Sequence, residues 1–123
     1  MSVRGYEDLV VWQKAMLLVR EVYLLTADMP DAERFGLTAQ IRRAAVSVPS
    51  NIAEGQGRLS TGEFKQFLGN ARGSLYELET QMRLMTDLNL VDDVAAANIL
   101  ATAGDVARLL NGLINSLKAK TGH

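Results

Sequence analysis

Apolar residues spaced three and four apart recur in four long stretches of this chain, and no sustained two-residue alternation appears between them. That spacing gathers hydrophobic side chains on one face of an α-helix and leaves no material for a sheet. The first stretch, about residues 8–27, carries Leu9, Trp12, Met16, Val19 and Tyr23 as a heptad-like seam, widened by Val10, Leu17, Leu24 and Leu25. Asp28-Met29-Pro30-Asp31 ends it, because proline disfavours helix in the residue before it. The second, about 33–57, puts Leu37, Ile41, Ala44, Ala45, Val48 and Ile52 on one face. Pro49 lies inside it, and the lost donor and ring clash predict a kink near residues 46–50. Gly55-Gln56-Gly57 reads as a C-terminal glycine cap.

The third stretch, about 61–88, opens on Ser60 and Glu63 at capping-box spacing. Its seam is the most regular: Phe64, Leu68, Ala71, Leu75, Leu78, Met82 and Met85. It ends near Leu88-Asn89, asparagine being the usual substitute for glycine in a left-handed cap. The fourth, about 92–119, starts on Asp92 or Asp93 as cap and runs through Ile99, Ala103, Val106, Leu110, Leu113 and Leu117. Lys118 and Lys120 bring favourable charge to its C-terminal end. Short connections between long helices imply antiparallel neighbours. The expected fold is therefore all-α: a single up-down-up-down antiparallel four-helix bundle over residues 1–123, its second helix kinked at Pro49.

With 48% apolar and 22% charged residues in 123, the chain has material for one real core. It has no cysteine, and its one histidine is His123. Disulfide scaffolds, thiolate metal sites and di-iron bundles built on Glu-x-x-His are thereby excluded. Glu77 and Glu79 are two apart and do not share a helix face. Gly55-x-Gly57 lacks the strand and third glycine of a dinucleotide loop. Ser47, Ser50, Ser60 and Ser74 have no identifiable general base, and Met82, Met85 and Trp12 read as packing residues. The expectation is no enzyme, no cofactor and no metal. The acidic start Glu7-Asp8 is unlike a signal peptide, and the longest uncharged run, residues 94–104, is too short to span a bilayer. A cytoplasmic protein without membrane contact is expected.

Two features exceed a plain bundle. Opposite the apolar face of the second helix lies a polar stripe of Gln40, Arg43, Ser47, Ser50, Asn51, Glu54 and Arg58. It reads as a subunit interface, a solvated face or a ligand surface. Gly69 and Gly73, four apart in the third helix, each cost about 1 kcal/mol of helix propensity, which suits close approach of another backbone. Arg43, Ser47, Ser50, Asn51, Glu54, Gly69 and Gly73 are thus the candidate interface. Charge is uneven too: from Arg34 to Arg72 there are six basic and two acidic residues, within a whole chain of net charge −1. Arg42, Arg43, Arg58, Lys65 and Arg72 are the candidate phosphate contacts for a nucleic acid, with Arg43 and Arg72 expected within a turn or two of each other.

The motifs also resemble a known family. Tyr6-Glu7-Asp8-Leu9 with Trp12-Gln13-Lys14-Ala15, Glu33-Arg34-Phe35-Gly36-Leu37, and Gln40-Ile41-Arg42-Arg43-Ala44-Ala45 match its first half. Ser47-Val48-Pro49-Ser50-Asn51-Ile52-Ala53-Glu54-Gly55 with Arg58, and Gly73-Ser74-Leu75-Tyr76-Glu77-Leu78-Glu79, complete the pattern. The chain is similar to the four-helix-bundle proteins named after 23S rRNA intervening sequences. That resemblance implies a small bacterial protein that forms a ring-shaped homopentamer and whose function is poorly defined. A related branch, the accessory proteins of diversity-generating retroelements, pairs a basic pentamer with nucleic acid; this chain departs from it in its slight acidity. Two readings result: a non-enzymatic homopentameric interaction module, or a nucleic-acid-binding accessory factor.

Overall fold

Four helices follow one another along the chain: α1 (Val10–Thr26), α2 (Leu37–Gln56), α3 (Thr61–Asp87) and α4 (Asp93–Thr121). Single 3-10 turns occupy Tyr6–Asp8 and Asp31–Glu33, and no strand occurs among the described residues. This computed structural model describes residues 5–121, with side chains through residue 119, so the expectations for Lys120 and His123 fall outside it. The second helix starts at Leu37, later than residue 33, because the chain first makes the Asp31–Glu33 turn after Pro30. It then runs uninterrupted through Pro49, whose ring is buried.

The caps follow local chemistry. The Ser60 hydroxyl accepts from the Glu63 amide at 3.1 Å and also contacts the Glu63 carboxylate at 3.2 Å. Asp92, the earlier of the two acids, accepts from the Ala95 amide at 3.0 Å. Asn89 has φ 58°, and the Asn89 and Leu90 amides donate back to the Thr86 and Met85 carbonyls. That is a Schellman ending, for which asparagine tolerates the left-handed conformation. Gly57 closes α2 with φ −80°, so this cap is right-handed and makes no use of glycine's freedom.

Each helix packs closely on its chain neighbours, α1 also packs on α4, and among the described residues the diagonal pairs α1–α3 and α2–α4 do not bring their backbones within 8 Å. A square of helices therefore surrounds one core. The α3 seam is buried as expected from Leu68 to Met85, with Phe64 half-buried at its start. In α2, Ile41, Ala44, Ala45, Val48 and Ile52 are fully buried. In α4 the core takes Ala96, Ile99, Ala103, Val106, Leu110, Ile114 and Leu117, while Leu113 is only half-buried.

α1 departs from expectation. Its core residues are Val11, Ala15, Leu18 and Val22, one position off the expected seam. Leu9, Trp12 and Val19 are half-buried, and Met16 and Tyr23 are exposed. Apolar residues ring α1 almost completely, so periodicity fixed its period and left its rotation open. The small Ala15 lets the neighbouring helices close in, and the bulky stripe turns to the α1–α2 flank.

Candidate interaction surfaces

The polar stripe of α2 lies along α3. Gln81 Nε2 lies 3.5 Å from Gln40 Oε1 and donates to Glu77 at 3.2 Å. Arg43 pairs with Glu77 at 3.1 Å, and the Ser47 and Ser74 hydroxyls share a hydrogen at 2.8 Å. Asn51 Nδ2 donates to both the carbonyl and the hydroxyl of Ser47, at 2.8 and 2.9 Å. Partners on α3 fall in number as those on α2 rise, so the two helices run in opposite senses. Small hydroxyls face each other here, which lets the backbones approach while the Ser47 and Ser74 hydroxyls and the Asn51 amide nitrogen keep partners. Of the expected interface residues, Arg43, Ser47 and Asn51 are thus engaged within the chain. Ser50 and Glu54 remain exposed, with Glu54 paired to Arg58 at 2.8 Å.

The close backbone approach expected at Gly69 and Gly73 occurs at Gly55 within this chain. A Cβ added there would lie 2.6 Å from Phe67 Cβ and 3.1 Å from the Phe64 ring. At Gly69 and Gly73 it would meet nothing within 4 Å. These two helix-interior glycines leave an open track on α3, beside the exposed ring of Tyr76.

The five candidate phosphate contacts are dispersed. Arg42 lies on the α1–α2 flank: its guanidinium stacks on Tyr23 at 4.4 Å, and its Nε donates to the Thr26 hydroxyl at 2.8 Å. Arg43 faces Glu77, and Arg58 combines the Glu54 pair with stacking 4.5 Å above Phe67. Arg72 donates to Asn111 of α4 at 2.8 Å, on the other flank of α3 from Arg43. Lys65 is half-buried near the start of α3. Arg43 is thus bonded on the α2 side of α3 and Arg72 on its α4 side.

The surface that sequence reasoning missed is the outside of α1. Val10, Leu17 and Leu24, seven residues apart, are 62%, 41% and 66% exposed, and Met16 and Tyr23 flank them. On the α2 side of α1 a groove of about 320 Å³ runs between α1 and α2, lined by residues including Trp12, Met16, Val46, Pro49 and Ala53. The signal was present in the sequence as the extra apolar positions that widened the first seam. Among the described residues, no cluster of three or more His, Asp or Glu could hold a metal ion, and no helix is long and apolar enough to cross a membrane.

Known proteins share the sequence pattern and the fold of this chain. A family model described as 23S rRNA-intervening sequence protein matches residues 7–112. No curated protein matches the sequence. Among solved structures, a protein of unknown function from the S23 ribosomal protein family of Bacteroides thetaiotaomicron VPI-5482 is similar with a TM-score of 0.78. The match covers 86% of this chain and 96% of that one at 24% identity, which speaks to fold.

Proposed function

This chain belongs to the 23S rRNA-intervening sequence protein family, and on that premise we propose that it is a non-enzymatic interaction module whose working form is a cytoplasmic homopentamer. The observation that carries the proposal is α1. This helix is apolar over most of its circumference, broken by Gln13, Lys14, Arg20 and Glu21. The bundle leaves Val10, Met16, Leu17, Tyr23 and Leu24 exposed where an apolar helix face is expected to be covered. A closed ring uses a heterologous contact, in which two different patches of each subunit meet. The outer face of α1 supplies one patch. The α3 track of Gly69 and Gly73, with Ser50 and Glu54 of α2 as polar rim, supplies the other, where absent side chains let a partner helix approach.

Light scattering of the purified protein at micromolar concentration tests this. Five chains of 13.4 kDa give about 67 kDa, and a mass of one chain overturns the proposal. A paired substitution separates the patch from the fold. Gly69→Ala and Gly73→Ala each meet open space within the bundle and gain about 1 kcal/mol of helix propensity. The double variant is expected to melt several degrees higher when held monomeric by dilution and to assemble more weakly. Undiminished assembly removes the glycine track from the interface.

A further inference from the structure

We propose that the acidic groove between α1 and α4 receives Arg83 of the neighbouring copy of this chain, an ion pair that presupposes the ring of subunits and fixes which residues face each other in it. The groove has a volume of about 350 Å³ and is lined by Glu21, Leu24 and Asp28 on one side and by Asn98 and Ile99 of α4 on the other. Leu17, Glu21, Leu24 and Asp28 follow one another at spacings of four, three and four, so exposed leucines alternate with carboxylates along one face. Neither Glu21 nor Asp28 forms an ion pair among the described residues.

The matching charge is on α3. Arg83 is exposed and likewise forms no ion pair among the described residues, although Glu79 and Asp87 stand four residues to either side. It comes about three helical turns after Arg72, whose guanidinium reaches Asn111 of α4, and so lies on the α4 side of α3. It also ends the outward track that Gly69 and Gly73 begin.

Height along the bundle brings the two charges together. Arg42 of α2 donates to the Thr26 hydroxyl at 2.8 Å and to the Tyr23 carbonyl at 3.4 Å, while the next residue, Arg43, meets Glu77 of α3. The Tyr23–Thr26 turn and Glu77 are therefore nearly level. The contact of Gln40 with Gln81, about one turn nearer the α1–α2 connection, carries the correspondence on to Asp28 and Arg83. Both α1 and α3 run against α2, so they are parallel to each other. Rotation about a ring axis that follows the bundle changes no height, so α1 of one subunit meets α3 of the next in this register. Because α1 and α3 are diagonal in the square, α4 lies at one rim of the ring, and the α4-facing sides of both helices share that rim. Counting back from Asp28 and Arg83, Leu17 falls within a residue of the height of Gly73, where an added Cβ would meet nothing within 4 Å and a leucine has room.

Opposite charges at matched height select one orientation and reject a slipped one. Light scattering of full-length variants over a concentration series tests the pair. Arg83→Glu and Asp28→Lys are each expected to raise the concentration needed for assembly by about tenfold or more, since each sets like charges face to face. Both positions are exposed, and circular dichroism is expected to show the helical content of the parent chain. The double reversal is expected to recover most of the loss, because opposite charges face each other again. Single variants that assemble like the parent, or a double variant no better than the weaker single, overturn the pair and leave the ring standing. A parent chain that stays monomeric overturns the ring and this contact together.

Discussion

Replacing Gly55 by alanine is expected to lower the melting temperature by up to about 8 °C, and replacing it by leucine to prevent folding at 37 °C. The added Cβ would lie 2.6 Å from Phe67 Cβ, well inside carbon–carbon contact distance. Neither atom can swing away, since each is fixed directly to a backbone; α2 and α3 must move apart. Overpacking of this kind costs about 1–3 kcal/mol, and the helix-propensity gain of alanine over glycine returns about 1. For a domain of this size each kcal/mol is worth about 4 °C. Thermal unfolding followed by circular dichroism gives the answer. Because the collision is with Phe67 Cβ, adding Phe67→Ala leaves it in place, and restoration of stability by that second change would show the account to be mistaken.

The second large effect concerns assembly. Leu17→Glu with Leu24→Glu is expected to leave the helical content unchanged and to reduce the about 67 kDa mass of the proposed pentamer to the 13.4 kDa of one chain. Both leucines are exposed in the bundle, at 41% and 66%, so a carboxylate there stays hydrated in the monomer. In the ring each leucine would contribute about 1–2 kcal/mol of apolar burial, and its replacement adds the cost of drying a charge. The two changes together weaken each contact by at least about 100-fold, and a closed ring must make all five. A full-size assembly of this variant, measured by light scattering, would place the interface elsewhere on the molecule.

How far the sequence could be read varied with the helix. In α3 one face is apolar and the other polar, so Leu68, Ala71, Leu75, Leu78, Met82 and Met85 identify both the helix and its inward direction. In α1 the period was clear and the direction was not, because Val11 and Ala15 compete for the core with the larger Trp12 and Met16. Size favours the second pair; the spacing between helices selects the first. The stripe on α2 was recognised as special, yet a single sequence does not contain the register that sets Ser47 against Ser74 or Arg43 against Glu77. Glycine showed the same limitation. Its cost in a helix can be read at Gly55, Gly69 and Gly73 alike, but which of them another backbone approaches depends on where the neighbouring helix lies. A cavity between α1 and α2 had no sequence signature, because Thr26, Pro30, Arg34 and Arg42 come to line one space only once the two helices pack.

The register of α2 on α3 also has a kinetic meaning. Four residues, 57–60, link the two helices, and their contacts close loops of steadily increasing length. Gly55 meets Phe64 nine residues on, Ser47 meets Ser74 across 27, Arg43 meets Glu77 across 34, and Gln40 meets Gln81 across 41. Closure entropy rises only logarithmically with loop length, and each bond formed shortens the loop left for the next. The hairpin therefore closes with least entropic cost from its turn outward, like a zipper whose first tooth is Gly55. That glycine sets the spacing of the helices before the rest of the seam has met, so its influence falls on the rate of folding as well as on the final stability.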